Sequence, residues 1–281
     1  MKEMTLKDIQ EESLRILKTV HGFCVENGIR YSLAYGTLIG AVRHKGFIPW
    51  DDDLDIMMPR PDYDRFCSTF RAKGYQVVSR QNRKDCFIPF ARVCDTVSTC
   101  LMTMEPWIRQ QGDLGVWIDI FPVDAAPDDR DAFHDLYLKA SRHHAKSAMA
   151  RRPYRPLNGD KPLKYNINTL KKRLFALFKH KPGYHLEAME HIIGMTPYGS
   201  TRHLAQLAYP AKEEYFDAQV MEGYHLTDFE DSRFYVIDGY DELLKMEYGD
   251  YMTPPDGKHQ IQHNFYYLDL EHPYREYHGE K

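Results

Sequence analysis

Between Gly46 and Met58 the sequence reads GFIPWDDDLDIMM, with Asp51, Asp52, Asp53 and Asp55 crowded at the entrance to an apolar run. In a strand, residues two apart share a face, so Asp53 and Asp55 would project side by side while Leu54 and Ile56 turn into the core. Like charges on a partly buried surface repel, and an unpaired desolvated ion costs on the order of several kcal/mol. A divalent, oxygen-preferring cation relieves both problems, and Mg2+ is commonly held by one or two carboxylates together with substrate phosphates. A solvated acidic loop, with the strand beginning only at Leu54, is the competing reading of the same residues.

Two further stretches bear on the choice. Upstream, AYGTLIGAVRH reads as a strand, then Gly36 and Thr37, then a short helix. A glycine and a small hydroxyl residue at a helix start expose backbone N–H groups and the positive end of the helix dipole, where a phosphate can rest. Downstream, GVWIDIFPVD sets Asp119 between apolar neighbours on a strand. Asp124 competes for the same role, but Pro122 suggests a loop beyond the strand for it. A Gly-Thr helix start, D-x-D on the next strand and an acid on a later strand form the layout of the nucleotidyltransferase superfamily. There, two metals about 4 Å apart clamp a transferring phosphorus, and the third carboxylate can accept the proton of the attacking hydroxyl.

The elements that must position these residues are legible in outline. Thr5 with Asp8 resembles a capping box opening a helix that Asn27-Gly28 stops. IRYSLAYG, DLDIMM, YQVVSR, FIPFARVCD and GVWIDIF read as strands, and DYDRFCSTFRAKG as a helix ended by Gly74. The second half reads as mainly helical, in DRDAFHDLYLKASRHHAKSAMA, INTLKKRLFALFKHK and, before Gly249 and the Pro254-Pro255 pair, GYDELLKMEYGDYMTPP. The class is therefore α/β (α+β), a mixed sheet with flanking helices. The expected organisation is a catalytic core over 1–135, a basic helical insertion over 136–200, and a C-terminal part over 201–281 that completes the catalytic domain.

YGTLIGAVRHKGFIPWDDDLDI closely resembles the signature of the LicD family, the phosphocholine transferases related to fukutin and fukutin-related protein. GVWIDIFPVD and YGDYMTPP resemble that family's later blocks, so the resemblance runs from about Tyr35 to Pro255. It implies a nucleotidyltransferase-like fold that moves phosphocholine or an alditol phosphate from a CDP-activated donor to a glycan hydroxyl, releasing CMP. The setting implied is modification of a cell-surface polysaccharide, teichoic acid or glycolipid. Asp53, Asp55 and Asp119 would be catalytic residues and ligands of Mg2+ or Mn2+, with Asp119 as ligand or base. Gly36 and Thr37 would sit against the donor phosphates, Arg43, His44 and Lys45 would neutralise the diphosphate, and Trp50 would stack on a base or cap the core. Asp51 and Asp52 would shape the loop or hold a metal through water. Tyr248, Gly249, Tyr251 and Met252 would touch substrate or pack. A true nucleotidyltransferase that leaves NMP on its acceptor and releases pyrophosphate uses the same carboxylates and is the alternative. A non-catalytic binder of nucleic acid or another anionic polymer is a second alternative, against which the complete acidic set argues; the expected partners are the donor and a glycan or lipid-linked glycan, with no nucleic acid.

Charge is unevenly spread. The net charge is −4, yet Lys139 to Lys181 holds thirteen lysines and arginines and one acid, Asp160. Within it Leu170, Leu174, Leu177 and Phe178 fall on one helical face beside Lys171, Lys172 and Arg173. Three readings stand: a helix packed by its apolar stripe, a helix lying on an anionic membrane, or a basic rim for an anionic acceptor. His143-His144 reads as a surface pair. No signal-peptide pattern or run of eighteen apolar residues occurs, so the expected location is cytoplasmic, with peripheral contact at the inner membrane face through 139–181 as an option. The five cysteines are widely spaced without C-x-x-C, which suggests reduced thiols rather than a zinc site at Cys86, Cys94 and Cys100.

Overall fold

The computed structural model describes residues 5–83, 86, 88–102, 115–151, 163–177, 182–257 and 265–272. Helix α1 (Leu6–Asn27) starts where Thr5 and Asp8 exchange side chain–backbone hydrogen bonds and stops at Gly28, which turns left-handed at φ 58°. Its apolar stripe, Ile9, Ile16, Leu17, Val20 and Cys24, is buried in the main core. Strand β1 (Ser32–Leu33) follows, then α2 (Tyr35–Ile39), which widens into a π-turn over Gly40–His44. Gly40 is required there, since a Cβ would come within 2.5 Å of the Gly46 carbonyl. Strand β2 (Asp55–Pro59) leads directly into α3 (Arg60–Thr69), whose first turn carries Pro61, where no intrahelical N–H is needed.

The remaining strands are β3 (Tyr75–Val78), β4 (Ala91–Asp95), β5 (Thr99–Met102) and β6 (Trp117–Ala126), the longest. Three helices follow: α4 (Arg130–Arg151), α5 (Leu163–Leu177) and α6 (Pro182–Ile193). The chain then returns to short strands: β7 (His203–Ala205), β8 (Tyr215–Asp217), β9 (Tyr224–Phe229) and β10 (Ser232–Ile237). Helix α7 (Tyr240–Tyr248) and β11 (Phe265–Asp269) close the described chain.

The main sheet runs β1-β2-β6-β4-β3, with β7 and β8 continuing from β6. Its centre is a parallel β2–β6 pair in the register Asp55 with Asp119 through Pro59 with Val123. The other pairs in this sheet are antiparallel. The mixed α/β class read from the sequence is the class observed. Residues 126–140 and 186–207 contribute a second apolar cluster, in which Phe133, Leu136 and Ala140 of α4 meet Leu186, Met189 and Ile193 of α6.

Several sequence expectations are corrected. The first strand ends at Leu33, because Tyr35 already opens α2, and the strand expected from Phe87 is formed only from Ala91. The helix expected to run to Gly74 ends at Thr69. Asp124 lies inside β6 rather than in a loop beyond Pro122. The β4 ladder ends at Ile120 and the β7 ladder starts at Asp124, so Pro122 occupies the stretch of β6 with a partner on one side only. The second half carries strands as well as helices, since five strands follow α6. On α5, Leu163, Ile167 and Leu170 are exposed, outside any packed stripe; the side chains of Leu174 and Leu177, and Phe178 altogether, fall outside the described residues.

Candidate active site

The acidic loop is fixed from three directions. Gln10 of α1 donates to the Asp51 carbonyl at 2.7 Å, and the Asp51 N–H reaches Ile48 O at 2.9 Å. The Asp119 N–H of β6 donates to Leu54 O at 2.9 Å, while Leu54 itself is fully buried. Strand β2 begins at Asp55, so Asp53 precedes it instead of sharing it; only Asp55 of the D-x-D pair is in the ladder. The Asp55 N–H donates to Thr37 Oγ1 at 2.8 Å, and its carbonyl accepts from Ala34 N–H at 3.0 Å. Thr37 is thus a buried tie between α2 and β2.

Asp55 and Asp119 are lateral neighbours on parallel strands and point to the same face. Burial, then the carboxylates of Asp53, Asp119 and Asp51, push the Asp55 carboxyl well above the usual range, and Arg92 opposes them. Arg92, on β4 and 5% exposed, donates from Nε to Asp119 Oδ1 at 2.7 Å and stacks over the Trp117 ring at 4.3 Å. Nothing local in FARVCD marks this arginine: it enters the site because β4 pairs Arg92 directly with Asp119. One carboxylate oxygen each of Asp51, Asp52 and Asp53 lie within 4.8 Å of one another, an all-oxygen donor group with Asp52 buried. Asp55 with Asp51, Asp53 and Asp119 around it, opposed by the Arg92 guanidinium, is a donor set that fits a hard divalent cation. Gly36 lets the loop close, since a Cβ there would meet Asp51 Oδ2 at 2.7 Å.

The remaining expected residues sit nearby with mixed engagements. Arg43 donates from Nε to His44 Nε2 at 2.9 Å and from Nη1 to the Tyr251 carbonyl. That bond ties the YGTLIGAVRH block to the YGDYMTPP block. Burial and Arg43 push the His44 imidazole below its usual range, so His44 adds little positive charge on its own. Lys45 turns left-handed at φ 61°, and its carbonyl accepts from Glu230 N–H at 2.8 Å; Glu230 Oε1 accepts from Phe47 N–H at 2.9 Å. The β9–β10 hairpin therefore braces the segment between helix and acids. Trp50 is half-buried and packs against the core. Tyr251 is buried and its hydroxyl donates to Asp241 at 2.8 Å, Met252 is exposed, and Tyr248 is 44% exposed. Asp124 is buried and held in a two-bonded pair by Arg60, at 2.6 and 3.0 Å, away from the Asp53–Asp55–Asp119 group.

Sequence reasoning passed over Tyr35, which adopts φ 48°. A bulky residue in that region is strained and is held only where its surroundings over-determine it. Its ring packs edge-on against Phe121 at 5.2 Å, and its hydroxyl donates to Glu214 at 3.4 Å. Glu214 is buried and pushed up to about 8 by burial and by Glu247. No local pattern links residues 35, 214 and 247; only the fold brings them together.

A mixed sheet with carboxylates on two parallel central strands, a Gly-Thr helix beside them and an acidic loop between is the architecture of a nucleotidyltransferase-type domain. Residues 28–159 match the sequence model of the LicD/FKTN/FKRP nucleotidyltransferase domain. Over 270 residues the chain is 29% identical to the lipopolysaccharide cholinephosphotransferase LicD of Haemophilus influenzae, covering 94% of this chain and 97% of that one. It is also 36% and 38% identical, each over 88 residues, to uncharacterised proteins of Rickettsia typhi and Rickettsia prowazekii, covering 26% of this chain and 28% and 33% of theirs. The chain is thus similar to the LicD family over residues 28–159 and to one LicD protein along nearly its whole length.

Proposed function

We propose that the protein is a phosphotransferase that moves phosphocholine from CDP-choline to a glycan hydroxyl, releasing CMP. The observation that carries this reading is the lateral pair Asp55–Asp119 on parallel strands, flanked by Asp51–Asp53, in a chain similar along nearly its whole length to a cholinephosphotransferase. Asp53, Asp55 and Asp119 would hold Mg2+ or Mn2+, with Asp51 and Asp52 close enough to contribute. Bound there, the metal would supply charge neutralisation of the donor phosphates and of the leaving group. Arg92 fixes the Asp119 carboxylate at the edge of the cluster, where it serves as ligand or as base for the acceptor hydroxyl. Gly36 lets backbone and loop approach closely, and Thr37 sets the start of β2. Arg43 and Lys45 lie at the end of the helix toward which the donor diphosphate would run, and Trp50 borders the acids.

The acceptor side of the reading involves the basic insertion. Exposed Leu163, Ile167 and Leu170 lie at helical spacing on α5, with Lys164 and Lys171 exposed beside them. Such a face suits an anionic membrane carrying a lipid-linked glycan, where each basic residue contributes about 1 kcal/mol. Among the described residues no helix is long and apolar enough to cross a membrane.

The test is incubation with CDP-choline, CDP-ribitol or CDP-glycerol, with Mg2+ or EDTA, scored by chromatography of the released nucleotide. Metal-dependent CMP from CDP-choline, lost in Asp53→Ala, is expected. Pyrophosphate from a nucleoside triphosphate, with no CMP from any of the three donors, would replace the reading with nucleotidyl transfer.

A further inference from the structure

A cleft of about 430 Å3 opens where the sheet meets the end of α6, with Arg60, Arg80, Phe90, Asp124, Glu190 and Tyr198 in its walls. That volume falls within the range of about 300–1,000 Å3 typical of small-molecule sites. Its place follows from the sheet. The β4 ladder leaves β6 at Ile120 and the β7 ladder joins it only at Asp124, so one edge of β6 carries no ladder between them. Phe90 closes the cleft at that gap, its ring 4.5 Å from Phe121. Glu190 and Ile193 of α6, with Tyr198 beyond it, form the facing wall.

The charged groups of the cleft are arranged in contact with one another. Arg60 holds Asp124 at 2.6 and 3.0 Å and lies 3.5 Å from Asp64, to which Gln81 donates at 2.6 Å. Arg80 Nη1 donates to the Cys86 carbonyl at 3.2 Å. Its Nε is 3.2 Å from Glu190 Oε1 without hydrogen-bond alignment, and is buried with no hydrogen-bond partner. Two guanidiniums thus face three carboxylates, and the cleft is near neutral with one negative charge in excess.

This balance decides the class of ligand. A phosphate or nucleotide would meet three carboxylates and no cation free of them. An ammonium would have to displace arginines already in contact with those carboxylates. A neutral, hydroxyl-rich molecule meets neither cost, because each hydroxyl can donate to a carboxylate and accept from a guanidinium N–H such as Arg80 Nε. Its C–H face would lie against the rings of Tyr198 and Phe90, as the mainly apolar lining of small-molecule sites requires.

We infer that this cleft binds one neutral sugar unit of the acceptor, a unit other than the one that receives the phosphate. This rests on the reading of the acceptor as a glycan. Asp124 lies five residues beyond Asp119 on β6, roughly 17 Å along an extended strand, and the odd spacing turns it to the other face. The acceptor therefore passes round the edge of the sheet by Phe90, two residues from the Arg92 that holds Asp119. An acceptor of several units spans the two places and a monosaccharide does not.

The test uses the full chain and saturation-transfer NMR with glucose, galactose and N-acetylglucosamine. Inorganic phosphate in EDTA, and CMP plus Mg2+, are separate ligands read by melting temperature. Transfer to at least one sugar is expected, lost in Tyr198→Leu and weakened in Glu190→Gln. The Glu190 side chain is 41% exposed, so that variant should fold even if Tyr198→Leu does not. Glu190→Gln also leaves Arg80 without its carboxylate, and phosphate should then stabilise the variant more than the wild type. No transfer to any of the three sugars, or equal transfer in the wild type and Glu190→Gln, would overturn the site. Equal stabilisation of wild type and Glu190→Gln by phosphate would do the same, since charge balance would not then set the ligand. Sugar transfer without a response to CMP plus Mg2+ would leave the cleft standing and remove the nucleotide-donor reading; the reverse pattern would remove the cleft alone.

Discussion

Asp55 illustrates how a single side chain can work against the fold that carries it. Its carboxyl is desolvated and surrounded by Asp51, Asp53 and Asp119, with Arg92 the opposing cation. Replacing it by asparagine keeps the shape and removes one like charge. Asp55→Asn is therefore expected to raise the melting temperature in EDTA while abolishing CMP release, a trade typical of sites that store repulsion for a ligand. A lower melting temperature in EDTA would show that Arg92 already balances the cluster. At this scale the sequence was partly readable. The acids were visible as a group because they are adjacent in the chain or sit in apolar strands. Arg92, Tyr35, Glu214 and Glu247 were not, because their meaning comes from partners 27 to 179 residues away, beyond the reach of local spacing.

The elements around the site are short and tightly joined, and two of them make separable predictions. Gly36 sits where α2 meets the acidic loop, with Asp51 Oδ2 at 2.7 Å from any added Cβ. Gly36→Ala leaves the helix intact but pushes the loop outward, so it should weaken Mg2+-dependent CMP binding by about tenfold, a loss of about 1.4 kcal/mol, with little change in far-UV circular dichroism. Helix α5 is tested by its exposed apolar face. Co-sedimentation with vesicles containing anionic lipid is expected for the wild type, and should fall sharply in Ile167→Asp and at high salt. Indifference to lipid charge would remove the membrane reading. The long helices α1 and α4 were legible from capping and spacing. The three-residue strands β7 and β8 were not, since segments that short carry no periodicity; β7 forms on the edge that β6 offers and β8 on the edge of β7.

At the scale of the whole molecule, three acids at least half-buried are shifted the same way. Glu12, Asp55 and Glu214 are all raised, chiefly by burial, whereas the lowered carboxyls, Asp128, Asp231 and Asp241, are fully exposed and count for little. A carboxyl raised in the native state binds its proton more tightly there than in the unfolded chain. Its stabilisation is complete below the unfolded value, near 4.5 for a glutamate, and is lost as pH rises through the folded one. For Glu214 that window runs from about 4.5 to about 8. In EDTA and without ligand, the melting temperature should fall as pH is raised from 5 to 8, and fall less steeply in Glu214→Gln. A flat profile in the wild type would show that the carboxyls are not held protonated. The mixed class was readable from the sequence at this scale, but the second apolar cluster between α4 and α6 was not, because its two halves lie far apart in the chain.

All five thiols, on α1, α3, β4, β5 and the segment before β4, are free and buried. They are therefore shielded from alkylating reagents as long as the chain stays folded, and each becomes reactive only when its own surroundings open. A mass-resolved labelling time course on the unmodified protein would thus report local opening at five built-in positions. Cys24 reads the N-terminal helix and Cys94 the strand beside Asp119, without the introduction of any probe.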